Sequence, residues 1–281
     1  MTIGIGVLSS SKPRPYLPRP DTIILMADTM GSTETDSTSE LHKLYADGDI
    51  YAVCAGKIEM GAEIISMFQT NLAQIQKERT HGDIWEALNK AVHGHRSDHF
   101  RWDIAASKFM LHDGIVLESQ QDKLMEEWQH YDPGIQMLVG MFNRQGAAHL
   151  YYVGRVYESN GDVAPGWVHS CSFPGFSVIG SGAYNASFWL NFRRQQLGLN
   201  PIQSAYHAFE AKVMASKAPT VNANLEIVIA FADKHFVLSG EKPEVDGCPV
   251  SIPELRKWFK KFGPQSTHSV GHKLRSQLFK R

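Results

Sequence analysis

The first residues of the chain alternate between large apolar and small side chains. Ile3, Ile5 and Val7 share one face of an extended segment, and Thr2, Gly4 and Gly6 share the other. A period of two is typical of a half-buried β-strand. The chain is therefore expected to begin as a strand, with no signal sequence or disordered arm ahead of it.

Several other short apolar runs predict strands. Residues 22–27 form a continuous run that ends at Asp28, and residues 49–55 form another that ends at Gly56. Later runs predict two hairpins, a short strand and a closing hairpin, at 109–117, 136–153, 177–179 and 225–238. The proline-rich stretch 9–20 is expected to be an extended loop, because proline cannot donate to a sheet or continue a helix.

Between these runs the apolar spacing changes to three and four residues, which is typical of amphipathic helices. Ile64, Phe68, Leu72 and Ile75 define such a face. The spacing predicts helices over 57–79, 83–93, 183–196 and 201–215, with Asp83 as a possible cap, and a short helix from near Pro253. The order of sheet, two helices, sheet, two helices and strands predicts an α+β domain in which two antiparallel sheets pack face to face with helices outside.

Composition supports one globular domain over residues 1–262. Of the 281 residues, 43% are hydrophobic and 20% are charged, and no apolar run approaches the length that crosses a bilayer. The three cysteines have wide spacing and no CxxC pair, which fits neither a disulfide framework nor a zinc site and favours a reducing cytoplasm. The 13 histidines lie at irregular spacing without a paired acidic motif, so no metal and no cofactor are predicted.

The C-terminal residues differ in charge from the rest of the chain. Residues 256–281 contain eight Lys or Arg and no Asp or Glu, so with a net charge of −1 overall the preceding residues carry −9. Residues 263–281 are expected to form a basic, flexible tail. No nucleic-acid recognition motif is present, which disfavours nucleic acid as a partner; an acidic surface of a neighbouring subunit is the preferred partner.

Thr2 carries the first candidate chemistry. If Met1 is removed, Thr2 gains a free α-amine beside its own hydroxyl. An α-amine has an ordinary pKa of about 8, so it can accept the hydroxyl proton directly or through one water. Thr2 is therefore a candidate N-terminal nucleophile.

Several pieces of the sequence, in this order, resemble the proteasome family of N-terminal nucleophile (Ntn) hydrolases, including the bacterial peptidase HslV. The resembling pieces are residues 2–7, 24–29, 42–44, 55–56 and 178–183, which read TIGIGV, ILMADT, HKL, AG and VIGSGA. Together they span most of residues 1–240. The resemblance implies a four-layer αββα sandwich, with two antiparallel sheets flanked by helix pairs.

The resemblance also implies roles for six residues. Thr2 would be the nucleophile, Lys43 the positive group beside it, and Asp28 the carboxylate that keeps Lys43 charged and oriented. Gly56 would donate its backbone N–H to the oxyanion, because a glycine permits close approach of a tetrahedral intermediate. Ser181, with Gly182 after it, would lie next to the Thr2 amine and position it or relay a proton.

Three functions stay open at this point. The first is a threonine-type peptidase that acts on peptides or unfolded proteins, in a ring or stacked homo-oligomer and with a possible unfoldase partner. The second is a catalytically silent ring subunit with a role in assembly. The third is a related amidase acting on a small metabolite. The joint presence of Thr2, Asp28, Lys43 and Gly56 favours the first.

Overall fold

The structure is a computed structural model that describes residues 3–11, 19–28, 43–75, 79–101, 120–156, 166–216 and 224–264. The described residues form ten strands and six helices. The strands are β1 (Ile3–Ser9), β2 (Thr22–Ala27), β3 (Leu44–Asp47), β4 (Ile50–Gly56), β5 (Ile135–Phe142), β6 (Ala148–Val153), β7 (Val168–Ser170), β8 (Phe176–Gly180), β9 (Glu226–Phe231) and β10 (Lys234–Leu238). The helices are α1 (Ile58–Ala73), α2 (His81–Phe100), α3 (Gln121–His130), α4 (Ala183–Phe192), α5 (Pro201–Ala215) and α6 (Ile252–Phe262).

The strands form two five-stranded sheets. The first sheet has the order β10-β9-β2-β1-β8, and all of its neighbouring strands pair antiparallel. The second sheet has the order β3-β4-β5-β6-β7, and its β3–β4 pair is antiparallel. The predicted α+β class with two antiparallel sheets is thereby confirmed.

Strand β1 lies at the centre of the core, and the prediction that it is half-buried is wrong. Ile3, Ile5 and Val7 pack with residues of α4, α5 and α6 on one side of the first sheet. On the other side, a Cβ added to Gly4 would lie 3.0 Å from Val53 of the second sheet. A Cβ added to Gly6 would lie as close to Leu150. The small residues therefore let the two sheets approach, and both faces of β1 are buried.

The core between the sheets is apolar. It contains residues from both sheets, among them Leu8, Ile23, Leu25, Val53, Leu138 and Leu150. This face-to-face packing buries the continuous apolar run of β2 completely, as its sequence predicts.

Helices α2 and α5 have clear N-terminal signals. Asn200 accepts a hydrogen bond from the Gln203 N–H, and Pro201 follows at the first helical position, so α5 has the predicted bounds. Thr80, not Asp83, is the N-cap of α2. Its hydroxyl accepts from the Asp83 N–H, while the Asp83 carboxylate accepts from the Thr80 N–H, which is a capping box.

The described residues divide into two compact units. The first unit contains residues 1–56, 136–152 and 169–281, and the second contains residues 57–135 and 153–168. Helices α1, α2 and α3 belong to the second unit, where α1 and α2 pack against each other. The single domain over residues 1–262 stays a prediction.

Several predicted features lie outside the described residues. They are Thr2, most of the proline-rich loop at 9–20, the hairpin at 109–117 and all but the first two residues of the tail. Among the described helices, none is long and apolar enough to cross a membrane.

Candidate active site

Asp28 and Lys43 form an ion pair in the interior of the first unit. The Lys43 Nζ donates to the Asp28 Oδ1 at 2.9 Å, and the two side chains are only 2% and 0% exposed. Asp28 directly follows β2, and Lys43 directly precedes β3, so the pair joins the end of a strand in one sheet to the start of a strand in the other. The predicted contact between these two residues is present.

Asp28 also holds the start of β1. Its Oδ1 accepts a second hydrogen bond from the Ile3 N–H at 3.2 Å, and its own N–H donates to the Ile3 carbonyl at 3.3 Å. One carboxylate oxygen therefore receives both an ammonium and a backbone donor. Its other oxygen, Oδ2, is buried and has no hydrogen-bond partner among the residues that the structure describes.

Gly56 lies at the end of the strand beside Lys43. The Lys43 carbonyl accepts from the Cys54 N–H at 3.1 Å, and Gly56 follows two residues later. Gly56 is exposed and has a φ of +96°, a backbone conformation that favours glycine. A side chain at this position would strain the turn that leads into α1.

Ser181 and Gly182 follow β8, the other neighbour of β1. The strand register pairs Ile3 with Gly180, so Ser181 comes immediately after the residue opposite Ile3. Ser181 is exposed, whereas Gly182 is buried and is the N-cap of α4. Asp28 and Ser181 thus flank the beginning of β1 from its two neighbouring strands, β2 and β8. Of the predicted site residues, the structure brings Asp28 and Lys43 into direct contact.

A second buried lysine near the pair was not predicted. Lys212 lies on α5, is 2% exposed, and donates its Nζ hydrogen to the Asn224 carbonyl at 2.8 Å. Burial lowers the pKa of Lys212 to about 8; the Asp28 charge opposes this shift, and the charges of Arg256 and Lys43 add to it. Two amino groups and a carboxylate therefore influence one another in this interior.

The register adds a second acid at the same end of the first sheet. Glu226 is the first residue of β9, is buried, and pairs with Ala27, the residue before Asp28. Its sequence position between a loop and an apolar strand gives no chemical signal. The same holds for Lys212, since a lysine in an amphipathic helix is ordinarily expected at the surface.

The cysteines do not offer a competing nucleophile. Cys54, Cys171 and Cys248 are all unpaired thiols. Burial raises the pKa of Cys54 to about 12 and that of Cys171 to about 11, and it raises that of Cys248 as well. Because the thiolate is the reactive form, these thiols are inert near neutral pH.

In comparisons with known proteins, the chain matched no family model and no curated protein.

Proposed function

We propose that this protein is an N-terminal threonine amidohydrolase with the Ntn-hydrolase fold, the four-layer αββα sandwich, and that Thr2 is its nucleophile. The observation that carries the proposal is the buried Lys43–Asp28 pair, whose carboxylate also binds the Ile3 N–H. Ile3 is the residue after Thr2. The charges are therefore held at the point where a mature chain beginning at Thr2 would start.

A buried ion pair of this kind favours a functional reading over a structural one. Moving a charged side chain from water into the protein interior costs on the order of several kcal/mol per ion. The attraction between the two charges offsets this cost only when their geometry is good. Apolar side chains at positions 28 and 43 would fill the core at a smaller cost in free energy. A charged pair at the start of a strand is instead what a site needs when it must stabilise a negative charge on a hydroxyl oxygen.

The alternation of β1 supports Thr2 as the group that uses this charge. Gly4 and Gly6 share the face toward the second sheet, and residue 2 belongs to the same set by its period of two. Lys43 enters the second sheet at β3. A Thr2 hydroxyl on that face would point toward the sheet that Lys43 precedes.

The proposed reaction forms and then hydrolyses an ester. The Thr2 Oγ1 attacks the carbonyl carbon of an amide, and the hydroxyl proton passes to the Thr2 α-amine, directly or through one water. The C–N bond then breaks, and the amine-bound proton moves to the leaving nitrogen. Water attacks the resulting ester in the same way, which releases the acid and restores the hydroxyl.

The other predicted residues have supporting roles. The Gly56 N–H would donate to the oxyanion, and its backbone, free of a Cβ, allows the substrate carbonyl to come close. Lys43 would stabilise the developing alkoxide, and Asp28 positions Lys43. Ser181 would hydrogen-bond the Thr2 amine, with Gly182 beginning α4 behind it.

Peptides or unfolded proteins are the proposed substrates, processed by a ring or stacked homo-oligomer in the cytoplasm with a possible unfoldase partner. Support for self-association comes from α4, where Tyr184, Phe188 and Phe192 recur at four-residue spacing. These aromatic side chains are 84%, 56% and 58% exposed. An aromatic row of this exposure is more typical of an interface than of a free surface.

Hydrolysis of fluorogenic peptides by purified variants tests the proposal. Thr2→Ala and Lys43→Met are expected to abolish turnover, because the first removes the nucleophile and the second removes the charge that stabilises it. Thr70→Ala is the matched control, since Thr70 is an exposed threonine on α1 and its loss should leave turnover unchanged.

Circular dichroism of each variant shows whether the fold is retained. Full turnover in a folded Thr2→Ala variant would show that Thr2 is not the nucleophile. An absence of turnover in the wild-type protein on a broad peptide library, with Met1 shown to be removed, would favour the silent ring subunit instead.

A further inference from the structure

We propose that Glu63, His95 and His99 form a binding site for a late first-row divalent metal ion such as Zn²⁺, in the second compact unit and independent of the Thr2 chemistry. Their ligand atoms all lie within 4.8 Å of one another. Two imidazoles and one carboxylate form a set that binds Zn²⁺, Co²⁺, Ni²⁺ or Fe²⁺.

The site is assembled by two packed helices. His95 and His99 are four residues apart on α2, so they project from the same face one turn apart. Glu63 comes from α1 and brings the carboxylate that the spacing of histidines along the chain could not reveal. The sequence therefore predicted no metal site, because the carboxylate lies on a different helix from the two histidines.

The distances from the Glu63 carboxylate to the two imidazoles fit ligands that share one metal ion. His95 Nε2 lies 2.9 Å from Glu63 Oε2, and His99 Nε2 lies 3.5 Å from the same oxygen. An ion about 2.0 to 2.2 Å from each ligand separates neighbouring ligand atoms by roughly 2.9 to 3.5 Å for bond angles of about 90° to 110°. Glu63 can therefore share one ion with either imidazole, and the ligand nitrogens of the two imidazoles lie within 4.8 Å of each other.

The first histidine is held in place by the protein. His95 is 3% exposed, and its ring lies 4.4 Å, centroid to centroid, from that of His99. Helices α1 and α2 are also joined about two turns away, where Asn71 Nδ2 donates to the Ala87 carbonyl at 3.1 Å.

The other side of the site is open. The Glu63 side chain is 60% exposed and that of His99 is 28% exposed, so an ion can enter from solvent. Water would complete the coordination. Because two of the three donors are nitrogen, Mg²⁺ and Ca²⁺, which prefer oxygen ligands, are not expected to bind. The bound ion would link α1 to α2 and stabilise this unit.

In a purely structural reading, Glu63 accepts a hydrogen bond from His95 at 2.9 Å and pairs with His99 at 3.5 Å. Metal titration separates the two readings. The untagged full-length protein, freed of metal by a chelator and dialysed, is titrated with Zn²⁺ by calorimetry and with Co²⁺ by visible absorption. One ion per chain is expected from each titration, with Co²⁺ bands typical of nitrogen and oxygen ligands and no heat from Mg²⁺.

The variants avoid the buried His95, whose loss could unfold the helix pair. Glu63→Gln and His99→Gln remove exposed or half-exposed ligands and are each expected to weaken Zn²⁺ binding at least about tenfold. Glu59→Gln, an exposed glutamate one turn earlier on α1, and His93→Gln, an exposed histidine on α2, are the matched controls and should bind as the wild type does.

Thermal unfolding gives a second readout. Zn²⁺ should raise the Tm of the wild type and of both controls, but not that of the Glu63→Gln/His99→Gln double variant. The proposal is overturned if the wild type binds neither Zn²⁺ nor Co²⁺, or if the double variant binds them as tightly as the wild type.

Discussion

Asp28 Oδ1 lies 2.9 Å from Lys43 Nζ, in an interior where neither side chain has more than 2% of its surface exposed. The same oxygen accepts the Ile3 N–H. The contact therefore links the ends of three strands, β1, β2 and β3. Loss of this contact should lower both the stability and the activity of the protein.

Asp28→Asn should destabilise the protein by about 3 to 5 kcal/mol, because it leaves the Lys43 ammonium buried without a counter-ion. Urea unfolding measures this loss. The double variant Asp28→Asn/Lys43→Met should recover much of the stability, since no uncompensated charge remains, but it should not recover peptide hydrolysis. Asp233→Asn, in an exposed turn, is the control. If Asp28→Asn is as stable as Asp233→Asn, the Lys43 ammonium is not left buried without a counter-ion.

Lys212 should give the protein a distinctive dependence on pH. Its pKa is lowered to about 8 in the fold, against 10.5 ordinarily. Between these values the unfolded chain binds more protons than the native state, so the free energy of unfolding rises with pH across this window. Lys212→Met should remove that rise and should stabilise the protein most below pH 8.

Urea unfolding at pH 7, 9 and 10.5 checks this dependence. Lys257→Met, which removes an exposed lysine of α6, should follow the wild-type curve. Parallel curves for the wild type and Lys212→Met over this range would show that Lys212 titrates as an ordinary lysine.

Gly56→Ala should cost about 1 to 3 kcal/mol of stability, because an alanine at φ +96° is strained. It should also lower peptide hydrolysis about tenfold or more, since relaxation of the turn would redirect the proposed oxyanion donor. Gly48→Ala is the matched control: Gly48 has a φ of +56°, and nothing lies near an added Cβ. Equal losses of activity in the two variants would show that strain alone is responsible.

Much of the fold follows from local patterns. The period of two in β1 and the cap and proline at Asn200 and Pro201 have direct structural counterparts. Helix α1 ends at Ala73 rather than near residue 79. Helix α2 continues past His93 to Phe100, since it buries His95 and Arg96, whose polar character hides the inward face from a hydrophobic pattern.

Other elements lacked a signal that a pattern can detect. Helix α3 has no buried residue, and β7 is only three residues long, so neither shows a clear apolar period. In the candidate site, Asp28 and Lys43 were predicted because they lie in the pieces 24–29 and 42–44 that resemble the family. Lys212 and Glu226 could not be predicted from the sequence. Only the packing of α5 and the register of β9 show that they are buried near Asp28.

The exposed aromatic row of α4 predicts an interface. Phe188 and Phe192 stack with ring centroids 6.4 Å apart. Phe188→Ser/Phe192→Ser should shift the protein toward smaller species without unfolding it, because two large apolar contacts are lost. Light scattering after size exclusion measures the mass, with Met125→Ser, an exposed methionine on α3, as the control. An unchanged mass in the double variant would exclude this face from assembly.

The central claim is that Thr2 is an N-terminal nucleophile, and intact-mass spectrometry of the untagged protein before and after treatment with a β-lactone tests it most directly. The untreated protein should lack Met1. The treated protein should gain one acyl group, carried by the peptide that begins with Thr2, and the Thr2→Ala variant should gain none. A retained Met1, or equal acylation of the wild type and Thr2→Ala, would contradict the claim.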